Sequence, residues 1–269
     1  MIFPSITSIL IGLCFGLVVA VGAYYAKALS RSGALAAAIL GTIVFGLGGL
    51  AHTAVLLSFF LSSSLLSVVF RKSKLRVNEK YAKGSCRDAG QVLANGGVAG
   101  VCVILGVIYP DQQVFWWMYC SALAAANADT WATELGVLSK TLPRLISTWK
   151  KVEMGTSGGI TLIGTISAVA GACLIASVAD VFQPGIKPLI GITLAGSFGS
   201  LVDSWLGASV QAMYLCDNCM KETEKHPLHS CGMETHLIHG WKWLDNDWVN
   251  AFCTISAAAL IIGLFYFVG

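Results

Sequence analysis

The sequence predicts an all-α, polytopic transmembrane helix bundle of seven or eight spans, with its distinctive polar residues gathered at one end. Of 269 residues, 56% are apolar and only 12% charged, against about 25% charged in a soluble domain, so a water-facing surface would go uncovered. Apolar stretches of spanning length, roughly 18 residues or more, recur from end to end, and the mean hydropathy is +0.74. The 29 glycines would weaken soluble helices but suit a bundle whose backbones approach closely.

The apolar segments fall at 5–26, 34–50, 53–70, 92–109, 114–135, 158–180, 188–215 and 248–268. The first lacks a basic n-region, and Tyr24, Tyr25 and Lys27 follow it without a cleavage motif, so it reads as a span rather than a signal peptide. The second and third are joined by Gly48-Gly49-Leu50-Ala51-His52, either a tight connection or a re-entrant feature, hence seven or eight. The seventh is longer than one crossing requires, which predicts tilt, a break, or extension past the lipid. With eight spans, the connections at 27–33, 71–91, 136–157 and 216–247 hold every lysine and arginine except Lys187. Positive-inside orientation then makes those loops cytoplasmic and puts both termini on the opposite face. The chain reads as one membrane domain, 1–269, with a basic loop at 71–91 and a Cys/His loop at 216–247. No Ser- and Arg-rich transit peptide is evident, which favours an endomembrane such as the endoplasmic reticulum over a plastid envelope.

Three alternate spans begin alike, at Ser32-Gly33-Ala34, Ala89-Gly90-Gln91 and Gly155-Thr156-Ser157-Gly158-Gly159. Two returning spans carry Asp129-Thr130-Trp131 and Asp203-Ser204-Trp205, 74 positions apart. Parallel-repeated helical hairpins would explain both observations; shared Gly/Ala composition explains the first alone. Asp129, Glu134 and Asp203 are ionisable groups within spans, where each is costly and marks a functional site by default. Asp129 and Asp203 sit at matching positions and are expected to face each other. Carboxylates so placed need a proton, a lysine or a divalent metal between them, and Mg²⁺ also takes phosphate oxygens. Asp129 and Glu134, five apart, lie about 140° around a helix and should not share a face.

Other features suit phosphate. Gly155-Thr156-Ser157-Gly158-Gly159 opens a span, where free amides and the positive helix end meet an anion, with Lys150 just upstream. Asn95-Gly96-Gly97 lies one turn inside an earlier span, after Lys83 and Arg87. No Walker A motif is present, and close helix packing accounts for the glycines equally well. Before the last span stand Asp245, Asn246, Asp247 and Asn250; one of them caps the helix, while Asp247 and Asn250 are spaced to share a metal or sugar ligand. In the last polar loop, Cys216-x2-Cys219 is a chelating half-site for Zn²⁺ that Cys231, His226, His229, His236 or His239 would complete, and the spacing does not choose among them.

The sequence resembles the DUF92 integral membrane family, which includes the transmembrane protein 19 group and the plant phytyl-phosphate kinases. The resemblance runs from Ser32 through Asn250. Its most specific parts are Phe60-Leu61-Ser62-Ser63-Ser64, the run Asn127 to Gly136, Gly155 to Ile160, Gly199 to Ala208 and Leu244 to Asn250. Arg144-Leu145-Ile146-Ser147-Thr148-Trp149 is closest to the transmembrane protein 19 group, and Ser157 stands where relatives often have Asn. The resemblance implies a kinase moving a phosphoryl group from a nucleoside triphosphate, CTP favoured, to a prenyl monophosphate drawn from the lipid bilayer. Asp129, Glu134, Asp203, Asn95, Gly158 and Gly159 then count as family motif residues. Thr156 and Ser157 would hold phosphate, Lys83, Arg87 or Lys150 would neutralise charge, and Asp245 and Asp247 would take a second Mg²⁺ or the ribose. Nothing points to nucleic acid. A small-solute or ion transporter using the intramembrane acids, or a non-catalytic structural protein, are the other readings the sequence allows.

Overall fold

The computed structural model describes residues 5–70 and 86–268; Lys83 and the rest of 71–85 lie outside the described residues. Among the described residues seven helices form the bundle: α1 (Ile6–Tyr25), α2 (Arg31–Val69), α3 (Ala89–Ile108), α4 (Val114–Gly136), α5 (Leu162–Phe182), α6 (Ile186–Ser209) and α7 (Asn246–Val268). Local chemistry sets their starts. Ser5, Ser30 and Thr161 each accept a first-turn amide, and Asp88 with Gln91 makes a capping box at α3.

The 39 residues of α2 are two helices joined at Gly49, whose φ of 70° is open to glycine and strained for other residues. The chain reverses there. Gly12 packs on Gly46, and Gly16 on Ala38 and Thr42, so 31–48 runs against α1. Beyond the break, Tyr119 Oη donates to the His52 carbonyl at 2.5 Å, Ser63 Oγ to Asn127 Oδ1 at 3.1 Å and Ser67 Oγ to Glu134 Oε1 at 2.5 Å. Residues 50–69 therefore run beside α4 in the same direction. Each half of α2 is long enough to cross a bilayer, as the two-span reading of this segment expects. Six helices, α2 taken whole, are long and apolar enough to span. The remaining one, α4, carries Asn127, Asp129, Thr130 and Glu134 and lies at the centre, against α2, α3, α5, α6 and α7.

Small residues allow that centre to close. Gly196 meets Ala124, Gly199 meets Ala125 and Ala257, and Gly171 meets Asn127 and Trp131, so an added Cβ at any of them would collide. Asn127, fully buried, joins three helices: it accepts from Ser62 and Ser63 of α2 and donates to the Gly171 carbonyl of α5 at 2.8 Å. Asn127→Ala should cost about 1–2 kcal/mol by stranding those partners, read as a lower unfolding midpoint in detergent.

Two segments differ from expectation. The sixth helical region starts at Leu162 rather than 158, because Gly155 (φ 81°) and Gly158 (φ 75°) cannot continue a right-handed helix. The long seventh segment is a helix only to Ser209; its tail leaves the bundle and enters a strand. The bundle is thus not purely helical. β1 (Arg144–Leu145) pairs with β2 (Gly159–Ile160), and β3 (Met213–Cys216) lies between β4 (Lys221–Thr223) and β5 (His236–His239), all antiparallel.

Candidate functional site

The ends of α4 and α6, the starts of α3, α5 and α7 and the β1–β2 connection enclose a cavity of about 560 Å³ at the basic end of the bundle. Its wall contains Asp129, Glu134 and Asp203, Arg87 and Asn95, Thr156 to Gly159, Asp245 to Asp247 and Asn250. Residues from five separate stretches of sequence thus meet in one place. Lys150 does not join them; it is exposed on the β1–β2 connection, where its carbonyl accepts from Leu145.

The Asp203 carboxyl meets Asp129 at hydrogen-bonding range, with Glu224 nearby, as their matching positions on two co-directional helices predict. Asp203 Oδ2 is buried and has no hydrogen-bond partner among the described residues. The two Asp-x-Trp motifs are not equivalent beyond the acids: Trp131 packs on Gly171 and donates to Ser62 Oγ at 3.4 Å, whereas Trp205 is exposed. Glu134 lines the same cavity as Asp129 despite the 140° between them. The cavity wraps around the end of α4, with α6 and Asp203 on one side and Ser67 and Arg87 on the other. Glu134 is 3% exposed, and its charge steadies the Arg87 guanidinium, whose pKa burial pushes down. Arg87 is fixed at three points. Its amide donates to Ala28 O and its carbonyl accepts from Ser30, both at 2.9 Å, Gly33 packs on that carbonyl, and the guanidinium lies 5.6 Å over the Phe59 ring.

The glycine-rich segment departs from the expected helix-start anion site. It forms a turn and strand β2, and Thr161 occupies the cap of α5. The Thr156 amide donates to Glu153 O and the Gly159 amide to Thr156 O, so neither is left for phosphate. Ser157 Oγ donates to Gln211 Oε1 at 2.7 Å, and Gln211 Nε2 to Glu224 Oε1 at 2.9 Å. Gly158 is required by packing: a Cβ there would strike Ala208 and the Ser204 carbonyl, in addition to its positive φ. Gly158→Ala should therefore misplace the turn, seen as loss of monodisperse protein on size exclusion.

At α7, Asp245 Oδ1 accepts from the Asp247 and Trp248 amides at 3.0 and 3.2 Å and is the cap. That role takes one of the two carboxylate oxygens of Asp245, a residue expected to help hold a second Mg²⁺ or the ribose. Asn250 Nδ2 donates to the Asn246 carbonyl at 2.7 Å. Asp247 and Asn250 remain on the cavity wall.

In the last polar loop, ligand atoms of Cys216, Cys219, His229 and Cys231 all lie within 4.8 Å of one another. The other histidines go elsewhere. His226 stacks on Tyr214 with ring centroids 4.4 Å apart, His236 Nδ1 meets Asp217 Oδ2 at 3.2 Å, and His239 is exposed on β5. The His229 hydrogen bond draws the Cys231 thiol down to about 6, while hydrogen bonding to Cys231 takes Cys219 up to about 11.

Sequence reasoning missed Glu224, Gln211, Gln91 and Ser67. Glu224 belongs to the Cys/His loop, and no local pattern tells that β4 ends over the cavity. Ser67 did carry a signal: it lies on the helix that brings Ser62 and Ser63 to Asn127, one turn further on.

A multi-pass helical membrane protein with an acid- and hydroxyl-lined cavity at one end is the class these features define. The chain belongs to the family described as Integral membrane protein DUF92, whose model matches residues 14–258. It is 35% identical over 261 residues to Protein PGR of Arabidopsis thaliana, covering 86% of this chain and 87% of that one. An uncharacterized membrane protein of Methanocaldococcus jannaschii is 35% identical over 192 residues, 71% of this chain and 79% of that one. Protein VTE6, chloroplastic, of Arabidopsis thaliana is 26% identical over 244 residues, 87% of this chain and 64% of that one. No solved structure matches the chain. The preference for the endoplasmic reticulum gains no support from these relatives, one of which is named as chloroplastic.

Proposed function

We propose that the chain is a membrane-embedded prenyl-phosphate kinase, transferring a phosphoryl group from a nucleoside triphosphate, CTP favoured, to an isoprenoid monophosphate. The observation that carries this reading is an adjacency. Arg87, Gln91 and Asn95 line the polar cavity on one side and, on the other, an apolar pocket of about 80 Å³ among α1, α2 and α3, walled by Phe15, Leu40, Leu57 and Phe60. An amphiphilic phosphate needs such an arrangement, with hydrocarbon on one side, polar groups on the other and a fixed cation between them. The resemblance to plant phytyl-phosphate kinases points the same way.

Mg²⁺ fits the facing carboxyls of Asp129 and Asp203, where the buried Asp203 Oδ2 has no hydrogen-bond partner among the described residues. When bound, it would neutralise charge on the transferring phosphoryl oxygens. The remaining work falls to side chains. Arg87 holds the acceptor phosphate at the wall, and Glu134 holds Arg87. Thr156 contributes a hydroxyl, and Asp247 with Asn250 orients the ribose. The acceptor oxygen is already ionised, so positioning suffices and no strong base is needed. A transporter would need a polar path onward to the opposite face, but there Tyr119 to Ala126 of α4 are packed at 0–1% exposure. We place the cavity on the cytoplasmic side, where the basic loops belong under the positive-inside rule.

Purified protein in nanodiscs with Mg²⁺, CTP and a prenyl monophosphate should yield the diphosphate. No product from any of the four nucleoside triphosphates across C10 to C20 acceptors would sink the reading. Leu57→Trp, which fills the apolar pocket, should raise KM for prenyl acceptors several-fold, more for longer chains, with kcat little changed.

A further inference from the structure

The polar loop between α6 and α7 contains a second group of side chains whose geometry does not depend on the kinase reading. Cys216 ends β3 and Cys219 sits in the β3–β4 turn, where Met220 takes a left-handed φ of 52°. His229 and Cys231 lie on a facing turn closed by the Leu228–Glu234 bridge. Two turns remote in sequence thus aim four soft or borderline donors at one point. The Cys216 and Cys231 sulfurs are 3.6 Å apart, and His229 Nδ1 is 3.3 Å from Cys231 Sγ. Sulfurs bound tetrahedrally at ~2.3 Å from zinc stand about 3.8 Å apart, and a sulfur–imidazole edge is about 3.5 Å. Hydrogen bonding between thiols alone would give no reason for all four groups to converge. Cys216 is fully buried and His229 is 6% exposed, so these two donors are held in place, with Cys219 half-buried and Cys231 at the surface.

We propose that Cys216, Cys219, His229 and Cys231 bind one structural Zn²⁺ ion. Four protein ligands leave no open position for water or substrate, which assigns the ion a structural part and excludes hydrolytic zinc chemistry at this centre. What it holds is specific. Below the knuckle, β4 runs directly to Glu224, which accepts from Gln211 and approaches Asp203 in the cavity. Gln211 in turn receives Ser157. Without the ion, two turns with little hydrophobic core of their own would have to keep this strand end over the cavity. Small loops of this kind gain much of their folding free energy from the metal.

The test uses full-length protein purified in detergent without chelator. Elemental analysis should find one zinc per chain. Replacing Zn²⁺ by Co²⁺ should give tetrahedral d–d bands with thiolate-to-cobalt charge transfer. Cys219→Ser and Cys231→Ser should lose the metal and expose 213–239 to limited proteolysis, whereas Cys86→Ser and Glu224→Gln should retain full zinc. If a serine variant fails to fold, the cobalt spectrum of the unaltered chain decides. Monodisperse protein with far less than one zinc per chain that takes up no cobalt with thiolate character would overturn the proposal. So would a Cys216–Cys231 disulfide found by mass spectrometry in metal-free protein. None of these readouts requires phosphoryl transfer, so an inactive protein with one zinc would count against the kinase reading alone.

Discussion

Asp129→Asn is expected to abolish phosphoryl transfer while leaving the bundle as stable as before, or more so. The usual cost of altering a buried polar residue is reversed here by geometry. Asp129 and Asp203 face each other at hydrogen-bonding range, and Glu224 adds a third carboxyl nearby. Facing carboxylates repel each other unless a proton or a cation lies between them. An amide at position 129 removes one charge and supplies an N–H for Asp203, so the midpoint of thermal unfolding should hold or rise. The same change removes half of the cation's anchorage. Losing an electrostatic contact to a transferring phosphoryl group typically costs about 10²–10³-fold in rate, and losing the ion costs more. Asp203→Asn should behave alike, and the double variant should be no worse than either single one, because both act through one ion. Turnover measured beside thermal unfolding separates the cases. Unchanged turnover in Asp129→Asn would remove the metal-binding role, and loss of turnover with loss of fold would mean that the pair is structural.

The parts of this arrangement that were legible in the sequence are those governed by the bilayer or by local chemistry. Hydrocarbon thickness sets span length, so apolar runs located the helices to within a few residues, α5 and the tail of α6 excepted. The matching Asp129 and Asp203 were legible because side chains at equivalent places on co-directional helices meet when those helices pack together. Positive φ values are harder to read. Gly158 looked like part of a phosphate-binding helix start, but it is glycine because α6 passes where a Cβ would be. A helix-wheel argument set Asp129 and Glu134 apart, yet a cavity that curls around a helix end can receive both. Glu224 was invisible for a third reason: its place depends on a loop whose path is set by strand pairing within the loop, not by periodicity. The choice of His229 over three other histidines is of the same kind.

Arg87→Met should show the largest loss of stability, and a second substitution should recover stability without recovering activity. The guanidinium lies over the Phe59 ring, and its charge is favoured by Glu134, a carboxylate that is 3% exposed and accepts from Ser67. Removing the cation takes that favourable charge away from a nearly buried carboxylate, which lowers stability. Methionine fills the space over Phe59, so lost packing contributes little. In Arg87→Met/Glu134→Gln the carboxylate charge is gone and Ser67 keeps a hydrogen-bond acceptor, so most of the lost stability should return. Acceptor binding should not. If Arg87 grips the prenyl phosphate at the wall between the two pockets, the double variant keeps a raised KM for that substrate and a near-normal KM for the nucleotide. Glu134→Gln alone should sit between, with Arg87 present but less firmly held. A double-mutant cycle in unfolding midpoints, run beside the two KM values, tests both halves of the argument. Coupling near zero would mean that Arg87 and Glu134 do not rely on each other, and equal loss for both substrates would mean that Arg87 supports the cavity without touching the acceptor.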